Sequence, residues 1–191
     1  MSDRLYLSCW TRNYDKASML RRYEALLATF PFSKLYKSAP VLRVFAVSYS
    51  EPIILEKPLE PGASVEEVIS SARDFAAGDC CVELEAAWDL WQYTDDWKLQ
   101  PAPVVLSCMG PEFESGHDDH LRVDFGLETK FLPMPEITGS IKMQESNLRS
   151  LLHLVADIDK ALPLSRRHLW SESGANFADL LANAIGKFDG H

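Results

Sequence analysis

Four consecutive residues, His117-Asp118-Asp119-His120, put two imidazoles and two carboxylates on one short polar segment. Imidazole nitrogens and carboxylate oxygens are ligands for zinc and related cations, and the same groups pass protons in acid–base catalysis. Glu112 and Glu114 lie just upstream and add further oxygens. His117, Asp119 and His120 are therefore the candidate metal ligands. The segment also follows Gly116 and separates two apolar runs, where Asp and Gly are the residues a hairpin turn needs. A two-histidine turn lacks the helical or spaced frame of known zinc motifs, so a solvated hairpin tip is the preferred reading, with no metal or cofactor expected.

The tryptophans are the second candidate. Trp88, Trp91 and Trp97 gather around Tyr93, while Trp10 and Trp170 stand apart. Aromatic side chains anchor protein interfaces, and they also build cores. Trp88 falls on the apolar side of its segment and is assigned to the core. Trp91 and Trp97 are the candidate partner-binding residues. A third set, Arg43, Glu83, Glu85, Arg122, Asp124, Glu128 and Lys130, belongs to the polar face of a sheet. Opposite charges facing each other across strands stabilise such a face without any ligand, and that reading is preferred. His153 sits at the margin of a helical apolar stripe and reads as a surface histidine. Ser8 and Ser107 lack the turn that exposes a nucleophilic serine. Signatures for nucleotide phosphates, zinc proteases and serine hydrolases are absent.

Something must position these groups, and the elements can be read from periodicity. Leu5 to Trp10 reads as a strand. Met19, Leu20, Tyr23, Leu26, Leu27 and Phe30 recur at helical spacing, with Asn13 or Asp15 as the cap and Pro31 as the stop. Val41 to Tyr49 and Ile53 to Leu59 read as a hairpin. Ser64-Val65-Glu66-Glu67 is a capping box that opens a second helix. Its stripe runs through Val68, Ile69, Ala72 and Phe75 to a stop at Gly78. Cys81 to Tyr93 fits both a strand and a helix; alternation of Val82, Leu84, Ala86, Trp88 and Leu90 favours the strand. Thr94 to Pro103, with two aspartates and two prolines, is the best internal boundary.

Ala102 to Phe113 and Leu121 to Phe131 read as two further strands, the second strictly alternating and so wet on one face. Ser146 to Leu162 reads as a third helix, with Leu148, Leu151, Leu152, Val155 and Ile158 inward. His168 to Trp170 reads as a short strand. Asn176 caps a last helix carrying Phe177, Leu180, Leu181, Ala184 and Ile185.

The expected fold is α+β: a largely antiparallel sheet with helices packed on one face. The order strand–helix–strand–strand–helix–strand over residues 1–93 is that of a ferredoxin-like βαββαβ half. Residues 102–191 extend it as ββα(β)α, and the whole of 1–191 is read as one domain with these two possible sub-structures. Two triplets echo each other, Leu7-Ser8-Cys9 and Leu106-Ser107-Cys108, as do Leu42-Arg43-Val44 and Leu121-Arg122-Val123. The echo suggests either a degenerate duplication or a repeated strand role.

Composition bounds the function. The chain has 191 residues, 47% of them hydrophobic and 25% charged, enough for a real core without staples. A net charge of −9 with only isolated arginine pairs argues against nucleic acid. Cys9, Cys80, Cys81 and Cys108 lack metal-ligand spacing and read as reduced core residues. No secretory signal and no membrane-length apolar run is visible, so the cytoplasm is the expected location. The leading expectation is a non-enzymatic protein-binding module using the sheet face or a Trp-bearing edge. Its acidity suits an inhibitor or immunity-like role toward a basic partner. The rival is an enzyme or small-molecule binder with a pocket between helices and sheet near the His117–His120 turn. Oligomeric state stays open.

Overall fold

The computed structural model describes residues 3–134, 136–174 and 176–186. Its strands are β1 (Arg4–Thr11), β2 (Val41–Ala46), β3 (Ile53–Pro58), β4 (Cys80–Tyr93), β5 (Trp97–Met109), β6 (Leu121–Leu127) and β7 (Leu164–Ser171). All seven lie in one sheet in the order β3-β2-β4-β5-β6-β1-β7. Every strand pairing in it is antiparallel. The helices are α1 (Met19–Thr29), α2 (Val65–Ala72), α3 (Ser140–Ala161) and α4 (Phe177–Gly186).

Alternation decides which face is covered. Leu5, Leu7 and Cys9 of β1 join Val82, Leu84, Ala86, Trp88 and Leu90 of β4, Val104, Leu106 and Cys108 of β5, and Val123 and Phe125 of β6 in the main core. Met19, Tyr23, Leu26, Val68, Leu151, Ile158 and Phe177 from the four helices complete it. All four helices therefore bury their stripes on one side of the sheet. The opposite side is covered only locally: the loops after β2 and β5 seat Tyr49 and Phe113 beside Phe45, Cys81 and Met109.

The α+β class and the helix-free face match expectation, and the ambiguous segment 81–93 is strand β4. The ferredoxin-like plait does not form. The element order is present, but β5 and β6 stand between β4 and β1, and β1 pairs with β6 and β7. Local patterning sets the elements; it says nothing about which distant strand each one joins. The boundary expected at Thr94–Pro103 is instead a hairpin turn at 94–96 and the start of strand β5, which pairs with β4 from Tyr93↔Trp97 to Cys81↔Met109. Its prolines are tolerated because β6 reaches only Val105–Cys108, so Pro101 and Pro103 lie where β5 has a neighbour on one side.

The smaller departures have local causes. The capping box of α2 forms as expected, with Glu67 N donating to Ser64 Oγ at 3.2 Å and Ser64 N to Glu67 Oε2 at 2.6 Å. The helix ends at Ala72, and Phe75 is exposed. Gly78 lies beyond the helix end, where its carbonyl takes the close approach of Gly110: Gly110 N donates to Cys80 O at 2.7 Å, and a Cβ on Gly110 would stand 2.2 Å from Gly78 O. The strand expected to reach Phe131 stops at Leu127 and turns through a 3₁₀ segment, Glu128–Lys130. Helix α3 begins six residues early because Ser140 and Gln144 bind the preceding backbone: Met134 N donates to Ser140 Oγ at 2.6 Å and Gln144 Nε2 to Thr129 O at 2.6 Å. Leu152, expected inward on α3, is exposed. Ala178 N donates to Asn176 Oδ1 at 2.9 Å, the expected cap of α4. The side chains of Ala184 and Ile185 lie outside the described residues.

Candidate functional site

Cross-strand register lines up one row of polar residues over the whole helix-free face. Glu56 faces Arg43, Arg43 faces Glu83, Glu83 faces Ser107, Ser107 faces Arg122, Arg122 faces Ser8, and Ser8 faces His168. Toward β3 the row is closed by ion pairs, Arg43 Nε–Glu56 Oε2 at 2.7 Å and Arg43 Nη1–Glu85 Oε2 at 2.5 Å. Burial pushes the Glu83 carboxyl up, against hydrogen bonds from Ser107 and Tyr49 and the charges of Arg43 and Arg122.

The centre of the row carries a buried ion pair. Arg122 donates to Asp119 twice, Nε to Oδ2 at 2.7 Å and Nη2 to Oδ1 at 2.6 Å. The Asp119 side chain is fully buried, and Ser8 Oγ and Ser115 Oγ also donate to it, at 2.7 and 3.2 Å. Its four lone-pair sites are thereby filled. Burial works against the Arg122 charge, and Asp119 more than offsets it, so the guanidinium is raised.

The three candidate ligands of the His117–His120 turn go to different places. Asp119 is taken up by Arg122. His120 turns toward β1, where Thr11 N donates to its Nδ1 at 2.9 Å and its ring stacks on Tyr14 at 4.0 Å. Burial lowers its pKa, which fits a neutral ring accepting at Nδ1. His117 is exposed and its ring lies 4.8 Å from that of Trp170. Among the described residues no group of three His, Cys, Asp or Glu side chains is placed to hold a metal ion. The four cysteines are free and buried, and burial pushes Cys9 and Cys108 up to about 12, so these two are inert thiols at neutral pH.

Trp91 and Trp97, by contrast, come together. The β4–β5 hairpin sets Trp91 opposite Leu99 and Tyr93 opposite Trp97. Trp91, Tyr93 and Trp97, with Gln92, Leu127, Lys130, Met134 and Gln144, line a cleft of about 230 Å³ between the hairpin end and the start of α3. Asn147 fixes Trp91 from α3, accepting from its N–H at 2.9 Å and donating to its carbonyl at 2.8 Å. Trp97 Nε1 donates to Thr138 O at 2.9 Å. Tyr93 and Leu127 are exposed by 43% and 44%, so the cleft has an apolar rim, and Leu99, exposed by 45%, stands across the hairpin from Trp91. Burial lowers the Lys130 ammonium, whose Nζ donates to Phe125 O at 3.2 Å.

Two other hollows bear on function. A cavity of about 220 Å³ lies between helices and sheet, lined by Leu27, Phe32, Tyr36, Val68, Leu84 and Ala86. It opens at the α1–α2 end, away from the His117–His120 turn. A trough of about 390 Å³ runs along β1 and β7 on the helix-free face, lined by Ser8, Trp10, His117, Arg166, His168 and Trp170, with Glu172 at one end. Sequence reasoning left Trp10 and Trp170 aside because they are distant in the chain. The findable signal was two period-two triplets, Tyr6-x-Ser8-x-Trp10 and Arg166-x-His168-x-Trp170, which register places opposite one another.

The fold defines a mixed α/β protein with a seven-stranded antiparallel sheet and a Trp-lined cleft at one hairpin end. Compared with protein-family models, curated proteins and solved structures, the chain finds no match. No described helix is long and apolar enough to cross a membrane.

Proposed function

We propose that this chain is a protein-binding module that seats apolar anchors of a partner in the Trp91–Trp97 cleft. One observation carries the reading: two exposed large apolar side chains, Tyr93 and Leu127, stand on the cleft that the two tryptophans line, and exposed Leu99 faces Trp91 across the hairpin. Exposed apolar surface gathered round aromatic walls is what an interface core needs, and a polar border is what surrounds it. Asp95 and Asp96 in the adjoining hairpin turn supply acidic rim charge. Together with the net charge of −9 they favour a partner with basic residues flanking its apolar anchors, which suits an inhibitor or immunity-like role. A cytoplasmic location belongs to the same reading.

Site-specific photo-crosslinking in the source cells tests it. A benzophenone side chain at Leu99 is expected to give one discrete adduct, and Trp91→Ala is expected to abolish that adduct. The same probe at exposed Leu152 on α3 is expected to give none. Equal labelling from both positions, or no adduct at Leu99, overturns the reading. A second reading, a small apolar ligand, rests on the cavity behind Leu27, Val68 and Leu84. It predicts that apolar ligands raise the melting temperature, and that Ala86→Leu, which fills the cavity, removes this effect.

A further inference from the structure

We propose that the trough between β1 and β7 is a binding site for an aromatic oxyanion, a flat ring carrying a carboxylate or a phosphate. Its walls are two rungs of the sheet. At one end Trp10 faces Arg166, and the guanidinium lies over the indole at 4.4 Å. At the other end Tyr6 faces Trp170, and their rings stack at 4.6 Å. The rung between them is Ser8 and His168, and Ser8 is small and 1% exposed. A small buried residue between two aromatic rungs makes a dip. The trough these rungs line holds about 390 Å³, room for one flat ring beside His168.

The walls are held in place before any ligand arrives. Trp170 Nε1 donates to Ser8 Oγ at 3.0 Å, Ser8 Oγ donates to Asp119 Oδ2 at 2.7 Å, and Asp119 is locked to Arg122. A preorganised site loses little side-chain freedom on binding.

The chemistry of the donors selects the charge. Among the described residues Arg166 has no carboxylate within ion-pair distance and no hydrogen-bond acceptor. Its seat over Trp10 leaves its N–H groups without a protein acceptor and open to a carboxylate or phosphate, the groups a guanidinium fork fits best. His168 lies on the next rung, and His117 covers the far indole at 4.8 Å. Both add ring N–H donors. Glu172 lines the trough from the turn after β7, beyond the Trp170 rung, where its Oε2 accepts from Arg4 N at 3.4 Å. It closes the Trp170 end and does not cancel the charge at the Arg166 end.

Titration of the full chain by tryptophan fluorescence tests the assignment, with phenyl phosphate, benzoate, inorganic phosphate and benzyl alcohol as probes. At least one aromatic oxyanion is expected to give saturable quenching at about tenfold lower concentration than inorganic phosphate or benzyl alcohol. Comparing phenyl phosphate with benzoate tells which acid group is preferred. Arg166→Gln is expected to weaken that probe about tenfold, the loss of one charge-assisted pair. Trp91→Leu, in the separate cleft, is expected to leave it unchanged. Equal binding of the neutral alcohol, equal binding of ring-free phosphate, unchanged affinity in Arg166→Gln, or loss of binding in Trp91→Leu each overturns the proposal. So does the absence of saturable quenching by either aromatic oxyanion.

Discussion

Replacing Asp119 with Ala is the sharpest test of how the helix-free face is held together. The carboxylate is fully buried and accepts two hydrogen bonds from Arg122, one from Ser8 and one from Ser115. Its removal leaves a guanidinium that is only 13% exposed without its partner. Breaking a buried pair from one side costs about 3–5 kcal/mol, because the remaining charge stays desolvated. The low end of that range applies here. Glu83 lies close enough for the Arg122 charge to act on it, and it offers a substitute carboxylate. About 3 kcal/mol corresponds to a melting temperature lower by roughly 6–12 °C in a chain of this size. Urea unfolding followed by circular dichroism at pH 7 measures the loss directly. Arg122→Met combined with Asp119→Leu is expected to recover most of it, since no unpaired charge is left behind. An Asp119→Ala protein within about 1 kcal/mol of the wild type would refute the reasoning, as it would show the pair to be solvated.

Two other positions have a definite sign. Burial raises the Glu83 carboxyl, so the protonated form is the one the fold favours. That contribution is fully present below the ordinary carboxyl pKa of about 4.3 and is lost as pH rises through the raised value. Glu83→Gln is therefore expected to match the wild type near pH 4 and to be the more stable protein at pH 7.5. Urea midpoints at the two pH values check this, and a difference independent of pH would sink it. Val47 is a β-branched residue held at φ 67, with an exposed side chain. Its backbone is pinned there, Val47 N donating to Asp79 O and Glu114 N to Val47 O. Val47→Asn suits the left-handed region and is expected to stabilise the protein by about 1 kcal/mol in the same assay; destabilisation would mean the side chain packs in a way its exposure hides.

Most of the elements were legible because their cause is local. The capping box at Ser64 and Glu67, the stop at Pro31 and the alternation of Leu121, Val123 and Phe125 all act within a few residues. The order of strands was not legible, because apolar alternation marks a face and leaves the neighbour unspecified. The tip of the β5–β6 hairpin shows the same limit. His117, Asp119 and His120 are adjacent in sequence, yet one faces Trp170, one is locked to Arg122 and one stacks on Tyr14. Adjacent residues on an extended or turning chain point apart, so a tight run of ligand-type residues is poor evidence for a site. Trp91 and Trp97 met because a tight hairpin folds near neighbours onto each other, which is the one long-range contact that local signals predict well.

The echoed triplets show what kind of repetition a sheet demands. Leu7-Ser8-Cys9 and Leu106-Ser107-Cys108 lie on opposite sides of β6 and pair with the same three residues: Val123 with both leucines, Arg122 with both serines, Leu121 with both cysteines. The leucine and cysteine positions face the helices, where only apolar side chains fit. The middle position flanks Arg122, whose guanidinium needs room to reach Asp119. A small hydroxyl on either side provides that room and costs little when buried, because each finds an acceptor: Ser8 donates to Asp119 and Ser107 to Glu83 at 3.0 Å. A common neighbour is thus sufficient cause for the echo, and duplication of a half is not required to explain it. The same triplet then serves two ends of the face. Ser107 binds the carboxyl that burial raises, and Ser8 carries the fixed pair outward to Trp170 and the trough.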